Sequence, residues 1–316
     1  MEADDIRTMT ASTVSSRQAR LNPKAIRRVF PVHTLKHRFA CLTLDLEKDH
    51  DGFTDQFDTI NRLDRIHALL ELLRSHHIPL TIFVVTELLR SHPHIIKLFD
   101  ACRPEWASHS HHHRLDVGPH QEAIRQSRVA FTEFFKCQPK GFRGPFGYLH
   151  PRDVDVLRVE GFIYDASIFP ALWTLGSGFQ HRRLPTLPWE YENGLLELPC
   201  AVVPRVRVML SVSYLKLLGL RVVSRLLQLF PPEPVLVIVC HLHDLIPTPA
   251  RRELPLALRL ARKRNETSGF MVLNWLIDEL RSRGYVFVTM AELAQNLLEI
   301  SLESSPPHRI SGTTPS

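Results

Sequence analysis

A short apolar run that ends in two carboxylates marks where the folded part of the chain is expected to begin: Phe39-Ala40-Cys41-Leu42-Thr43-Leu44-Asp45-Leu46-Glu47. Such a run is typical of a parallel strand buried on both faces. Side chains alternate along an extended segment, so Asp45 and Glu47 point to the same side. Two carboxylates aimed at one spot can hold a divalent metal or divide into a ligand and a general base. The alternative is an ordinary acidic loop, because Lys48-Asp49-His50-Asp51 follow.

The same pattern, an apolar run that ends in polar residues, recurs along the chain. Strand-like runs alternate with segments of helical spacing, and polar residues gather where the runs end; examples are the runs at 79–85, 106–109, 141–143, 162–165, 235–240 and 285–289, and the helical segments at 60–76, 121–135 and 269–283. This alternation is typical of a parallel α/β barrel whose site lies at the carboxyl ends of its strands.

Length and charge suggest how the chain is divided. The 316 residues carry a net charge of +6, of which residues 1–38 contribute +5 and the segment after Asn296 contributes −1. We predict a basic, disordered arm at 1–38, a single catalytic barrel at 39–296 and a flexible tail at 297–316. Because the excess charge then belongs to the arm and no basic stripe is interleaved with aromatics, nucleic acid is not an expected partner.

The composition also limits where the protein works. The five cysteines never form a C-x-x-C pair, and no apolar run reaches 18 residues, so neither a disulfide framework, a thiolate zinc site nor a transmembrane helix is expected. The N-terminus lacks the pattern of a secretory signal, which favours a cytoplasmic location. Residues 206–230 are apolar but interrupted by cations. They are expected to cover the barrel core, the alternative being a helix that contacts a membrane surface.

A cluster of histidines is the first metal candidate. His109-Ser110-His111-His112-His113 is the densest group among the 18 histidines of the chain. The i, i+4 spacing would place His109 and His113 on one face of a helical turn, where neutral imidazoles bind Zn²⁺ or similar metals. A nearby carboxylate would complete a facial triad with open positions. The alternative is a histidine-rich surface loop.

Two later strand ends carry further candidates. Arg143 precedes a Gly-Pro turn, where a guanidinium can pair with a catalytic carboxylate and keep it ionised, or be an ordinary surface arginine. His241 and His243 follow the apolar run 235–240 and point the same way if the segment stays extended. A histidine at this rim suits a general acid that protonates a leaving amine. The alternative is a polar side chain bonded to the backbone.

Taken in order, these pieces resemble the polysaccharide deacetylases, a carbohydrate-esterase superfamily that includes chitin, chitooligosaccharide and peptidoglycan deacetylases. The four motifs that carry the resemblance are a D-x-E form of the first motif at 45–47, H-[ST]-x-x-H at 109–113, R-x-P-x-G at 143–147 and the last histidine motif at 243–245. Segments at 80–85, 161–167, 197–199 and 287–293 are also similar. The resemblance covers about residues 39–296.

The resemblance implies a fold, a cofactor and residue roles. The fold is α/β, a distorted (β/α) barrel of seven or eight strands, with one divalent metal; zinc is expected, and cobalt or nickel are alternatives. Asp45 resembles the general base, and His109 and His113 resemble metal ligands. Arg143 resembles the arginine that orients and ionises the base, and His243 the general acid.

Some assignments remain open within the resemblance. Many members have two adjacent aspartates, whereas Leu46 follows Asp45 here, so we expect Glu47 to be the third ligand. The alternative is that Asp45 binds the metal and another group is the base. His241 could replace His243. The residues implied to contact the substrate are Pro145, Phe146, Gly147 and Asp165.

The resemblance implies a metal-dependent hydrolase that removes an acetyl group from an N-acetylated sugar, in a polysaccharide or a lipid-linked saccharide. One alternative is an amidase of the same fold that acts on a non-sugar amide, as the allantoinase-like relatives do. Another is a carbohydrate-binding relative without catalysis, against which the full set of candidate residues argues. The oligomeric state is left open.

Overall fold

The computed structural model describes residues 21, 23–31, 35–50, 54, 56–113, 120–172 and 181–303. Most of the predicted basic arm and of the predicted tail, residues 1–20 and 304–316, lies outside these ranges.

In this described part, ten strands form one sheet. The strands are β1 (Ile26–Val29), β2 (Arg38–Leu46), β3 (Leu80–Val84), β4 (Glu105–Ser108), β5 (Gly141–Phe142), β6 (Tyr164–Asp165), β7 (Trp189–Tyr191), β8 (Leu196–Glu197), β9 (Val235–His241) and β10 (Tyr285–Phe287). Strands β3 and β9 are apolar along nearly their whole length because both of their faces are covered.

Seven of the strands run parallel in the order β9-β2-β3-β4-β5-β6-β8. An isolated parallel bridge between Cys200, just beyond β8, and Val237 in β9 joins the two ends of this series. Strands β7 and β1 extend the sheet from β8 in antiparallel fashion, and β10 pairs with the start of β2. The predicted fold class, a distorted α/β barrel, is confirmed.

Helices cover the outside of the sheet. They are α1 (Leu63–Ser75), α2 (Glu87–Ser91), α3 (Pro93–Asp100), α4 (His120–Phe135), α5 (Pro151–Val159), α6 (Val212–Leu218), α7 (Leu220–Leu229), α8 (Leu242–Leu245), α9 (Leu256–Lys263), α10 (Gly269–Ser282) and α11 (Met290–Glu303). The largest core cluster lies between β2, β3 and β9 on one side and α1, α6 and α10 on the other. No helix among the described residues is both long enough and apolar enough to cross a membrane.

Two predicted boundaries are wrong. Ile26–Val29, placed in the disordered arm, is a strand paired with β7, and Glu190 of β7 forms salt bridges with both Arg27 and Arg28. A four-residue edge strand has too little apolar character to stand out from a basic sequence. At the other end, the barrel does not stop at Asn296, because α11 continues to Glu303 and Leu297 is buried against the barrel.

The segment 206–230 packs mainly onto the barrel. Val212, Leu215, Val223 and Leu227 are buried in the main core, whereas Leu229 is exposed. Its apolar residues are therefore largely engaged by the protein itself, as the core-covering interpretation expects.

Candidate metal centre

The carboxyl ends of β2 and β9 lie side by side and bring the first candidates together. Asp45 is in register with His241 across these strands, and Glu47 follows two residues later. Beyond β3 in the sheet, the ends of β4 and β5 bring His109 and Arg143 to the same end of the barrel. This is the end at which parallel barrels place their sites.

Glu47, His109 and His113 converge on one point. Oε2 of Glu47 lies 2.6 Å from Nε2 of His113 and 3.3 Å from Nε2 of His109, and all three side chains are nearly inaccessible. Their ligand atoms lie within 4.8 Å of one another. Burial alone would raise the pKa of Glu47, but His113, His109 and His241 outweigh it and hold the pKa well below its ordinary value. A buried, ionised carboxylate beside two imidazoles is the donor set of a two-histidine, one-carboxylate metal site.

Two further observations support a cation between these residues. Nδ1 of His109 lies 2.7 Å from the backbone oxygen of Arg143. When Nδ1–H donates to that carbonyl, Nε2 presents its lone pair to the centre, which is how metal-binding histidines are usually fixed. Neither buried oxygen of Glu47 receives a hydrogen bond of ordinary geometry from any residue the structure describes. A cation bound between Glu47 and the two histidines would give these buried oxygens a partner.

Arg143 holds Asp45 from the side away from the histidines. The guanidinium is fully buried; Nη1 donates to Oδ1 of Asp45 at 2.5 Å and to Oγ1 of Thr43 at 2.9 Å, and Nε donates to the carbonyl of Ala166. Burial disfavours the charge of Arg143, but Asp45 outweighs it and the pKa of Arg143 is raised. Oδ2 of Asp45 stays turned toward the centre, 4.0 Å from Nε2 of His109.

The structure places His241, and not His243, against the carboxylates. Nε2 of His241 lies 3.6 Å from Oδ2 of Asp45 and 3.8 Å from Oε1 of Glu47. His243 lies in the first turn of the short helix α8 rather than continuing the strand, and its Nδ1 accepts a hydrogen bond from the backbone N–H of His50. Burial, followed by the charge of Arg262, lowers the pKa of His243 well below its ordinary value. These contacts favour the alternative His241 over the predicted His243 as the acid, because the chain turns after His241.

Asp244 orients His241. Its Oδ2 accepts the backbone N–H of His241 at 3.0 Å and lies 3.3 Å from Nδ1 of the ring, while Arg262 and Ser213 donate to Oδ1. Burial alone would raise the pKa of Asp244, but His241, His243 and Arg262 together hold it well below its ordinary value. When Nδ1–H of His241 donates to the ionised Asp244, Nε2 faces the centre.

The two motif loops use strained backbone to converge. His109 and His113 lie on an irregular bend rather than the predicted helical turn, and Ser110 between them has a positive φ of 67°. In the other loop Phe146 has a φ of 58°, and its ring centroid lies 4.4 Å from that of His113. A side chain at Gly147 would collide with the ring of Phe169. Non-glycine residues in this region of φ are uncommon and cluster at functional sites.

The four residues that the resemblance implied as substrate contacts differ in how accessible they are. Phe146 is half-buried and forms part of the wall beside His113, whereas Pro145 and Gly147 are buried in the turn. Asp165 is fully buried, bonded to Ser167 and beside Glu197, and burial raises the pKa of both carboxyl groups. The carboxyl group of Asp165 is thus enclosed in the barrel wall, which disfavours the predicted contact with a substrate.

Three residues of the site were not singled out from the sequence. Thr43 stands two residues before Asp45 in β2. Because side chains two residues apart in a strand point to the same side, the sequence already placed Thr43 beside Asp45. Asp244 stands three residues after His241, the spacing of a capping box, which could have been recognised. Arg262 lies in a basic helix, and no local pattern distinguishes it.

The family model described as polysaccharide deacetylase matches residues 53–162, about a third of the chain. This stretch contains His109, His113 and Arg143; it begins after Glu47 and ends before His241. The geometry described above therefore supplies the part of the site that lies outside the match. A comparison with curated proteins finds no match.

Solved structures share the fold. Two are assigned as polysaccharide deacetylases: one from Mycobacterium smegmatis (18% identity, 94% of this chain and 100% of that chain covered, TM-score 0.57) and one from Pseudomonas aeruginosa PAO1 (17%, 83% and 92%, TM-score 0.53). Puue allantoinase is similar too (18%, 85% and 93%, TM-score 0.54). The chain is thus similar to the polysaccharide deacetylases in sequence over residues 53–162, and it shares its fold with these solved structures.

Proposed function

We propose that the protein is a metal-dependent hydrolase that removes the acetyl group from an N-acetylated sugar. The observation that carries the proposal is the convergence of Glu47, His109 and His113 beside a carboxylate and a histidine that are each held by a second charged group. Glu47, His109 and His113 would hold the cation. A divalent cation bound there would supply Lewis acidity toward water and toward the acetyl carbonyl.

Asp45 and His241 then divide the proton transfers. Oδ1 of Asp45 is engaged by Arg143, so Oδ2 accepts the proton of the attacking water. The water oxygen forms its bond to the acetyl carbon, and the carbon–nitrogen bond breaks. Nε2 of His241 gives its proton to the departing amine, while Asp244 compensates the charge on the ring. The products are acetate and a free amino sugar.

Release of acetate from N-acetylglucosamine oligomers tests the proposal. The wild-type chain with bound metal should release acetate, and a chelator should stop it. Asp45→Asn and His113→Ala should each abolish turnover while circular dichroism shows the wild-type fold. Full activity in either variant would refute the assignment.

An amidase for a non-sugar substrate is the second candidate, because Puue allantoinase shares the fold. The same assay run with allantoin separates the two: release of product from allantoin and none from the saccharide panel would favour the amidase. A carbohydrate-binding protein without catalysis would bind the oligomers and release nothing from either substrate.

A further inference from the structure

A second basic stretch, besides the arm, lies in the folded body. Residues 205–264 contain eleven Lys and Arg against three Asp and Glu, a net charge of +8, whereas the whole chain carries only +6. The remainder, the basic arm included, therefore sums to −2. The arm at 1–38 keeps its net charge of +5, and the residues outside these two stretches sum to −7, which masks the basic stretch in the total.

Helix α9 presents part of this charge together with exposed leucines. Leu258 and Arg262 face inward, where Leu258 is buried and Arg262 donates to Ser213 and Asp244. The opposite face carries Leu256 and Leu260, which are 61% and 58% exposed, one helical turn apart. Large apolar side chains exposed in a row on a soluble surface mark an interaction site.

Cations surround these leucines. Lys263 follows Leu260 on the same face, Arg259 lies between the two leucines and is half-buried, and Arg252 and Arg264 are exposed at the two ends of the helix. We call the set Arg252, Leu256, Arg259, Leu260, Lys263 and Arg264 the α9 surface. Leucines flanked by lysine and arginine on one helix are the pattern of a helix that lies in the headgroup region of a membrane.

We propose that the α9 surface docks on an anionic membrane. The cations would attract acidic headgroups, and Leu256 and Leu260 would enter the boundary with the acyl chains. The leucines favour a membrane over nucleic acid or an acidic polysaccharide, since a soluble polyanion offers no apolar phase for them. The surface differs from the segment 206–230 considered from the sequence, most of whose apolar residues pack onto the barrel.

The α9 surface adjoins the candidate site. Arg262, on the inner face of the same helix, lies 3.0 Å from Oδ1 of Asp244, which holds His241. Just before α9, Glu253 accepts a hydrogen bond from Gln56, which lies in the loop that follows β2. Docking would thus bring the rim of the barrel near the lipid surface. The binding claim does not depend on the proposed function, and its test does not use activity.

Co-sedimentation of the full chain with vesicles tests the docking. Vesicles of phosphatidylcholine with about a third phosphatidylglycerol should bind the wild-type chain at low salt, and pure phosphatidylcholine vesicles should bind it far less. The double variant Leu256→Ser/Leu260→Ser should lower the partition coefficient about tenfold or more, and Arg259→Gln/Lys263→Gln should do the same. Two matched controls remove an exposed apolar side chain elsewhere and should bind as the wild type does: Val159→Ser on α5, 82% exposed, and Leu229→Ser on α7, 71% exposed.

Several results would overturn the proposal. They are equal binding to both kinds of vesicle, unchanged binding of the leucine double variant, or a loss with Leu229→Ser as large as that with the leucine double variant. Binding to soluble heparin with the same affinity and no dependence on the leucines would assign the surface to a polyanion instead. A dimer in sedimentation velocity that Leu256→Ser/Leu260→Ser dissolves would assign it to a second copy of the chain.

Discussion

Arg143 shows how much of the site depends on one side chain. Its guanidinium is enclosed by the barrel and bonds to Thr43, to Asp45 and to the backbone of Ala166. The guanidinium also lies 4.0 Å from the centroid of the Phe83 ring. A planar group with several fixed donors can satisfy all of these partners at once, which a lysine cannot do.

We expect Arg143→Met to destabilise the fold by about 3–5 kcal/mol, because it leaves the buried Asp45 without its counter-charge. Urea unfolding of the single variants and of Asp45→Asn/Arg143→Met measures this. The double variant should lose clearly less than the sum of the two single losses. Additive losses would mean that the two side chains do not act as a pair.

The pair of His241 and Asp244 makes a prediction about rate. Asp244→Asn removes the charge that keeps Nδ1 of His241 protonated, and His241→Gln removes the acid itself, so kcat for acetate release should fall about 100-fold or more in each. His243→Gln is the matched control; it should lower kcat less, since His243 contacts the backbone of His50 and the ring of His241 rather than Asp45 or Glu47. A larger loss in His243→Gln than in His241→Gln would restore His243 as the acid.

At the scale of elements, the strand that ends in His241 explains why the sequence left this choice open. Alternation predicts that His241 and His243 share a side, but the chain enters α8 at Leu242, and the capping contacts of Asp244 fix the turn. A strand end and a helix start look alike in so short a stretch. The long, strongly apolar strands β2, β3 and β9 were predictable because burial on both faces leaves a run of apolar residues.

Short or irregular elements were harder to predict. Strand β1 has two adjacent arginines between two apolar residues, and β7 contains the charged Glu190, which is buried because Arg27 and Arg28 neutralise it. The convergence of His109 and His113 depends on a positive φ at Ser110, which no spacing rule anticipates. These features depend on contacts between segments more than 100 residues apart or on backbone strain, and neither is written in a local pattern.

The extension of α11 beyond Asn296 predicts a cost for truncating the side chain at Leu297. This residue is 1% exposed and packs against the barrel, so Leu297→Ala should lower the free energy of unfolding by about 2–5 kcal/mol. Gln295→Ala, at an exposed position of the same helix, should change it by less than about 0.5 kcal/mol. Thermal or urea unfolding of both variants decides whether the helix is part of the fold, and equal stability of the two would place it outside.

At the scale of the whole molecule, most of the site could be predicted from the polar residues at the carboxyl ends of the parallel strands. Five residues were named from the sequence because each lies at or beyond the carboxyl end of a strand of the same parallel sheet, and such ends meet at one rim: Asp45, Glu47, His109, His113 and Arg143. Asp165 also ends a strand, but its side chain points into the wall. Which side of a two-residue strand faces the cavity is set by the curvature of the barrel, which the sequence does not display.

Buried histidine makes the stability of the fold depend on pH. Burial lowers the pKa of His181 to about 4, compared with about 6.5 in an unfolded chain. The unfolded state therefore binds a proton that the folded state refuses between these values, and the free energy of unfolding falls as the pH drops from 6.5 to 4. His181→Gln, which can still accept the N–H of Phe169, should show a shallower fall. A constant difference between the variant and the wild type across this window would contradict the pKa of His181.

The measurement that tests the central claim most directly is the metal content of three purified chains after dialysis against zinc, with circular dichroism as the control for folding. The account predicts about one equivalent of zinc in the wild type. Asp45→Asn should also hold zinc, because Asp45 pairs with Arg143 and is not a ligand. Glu47→Gln should lose zinc, because Glu47 supplies the third ligand. Full zinc content in a folded Glu47→Gln, or a loss confined to Asp45→Asn, would contradict it.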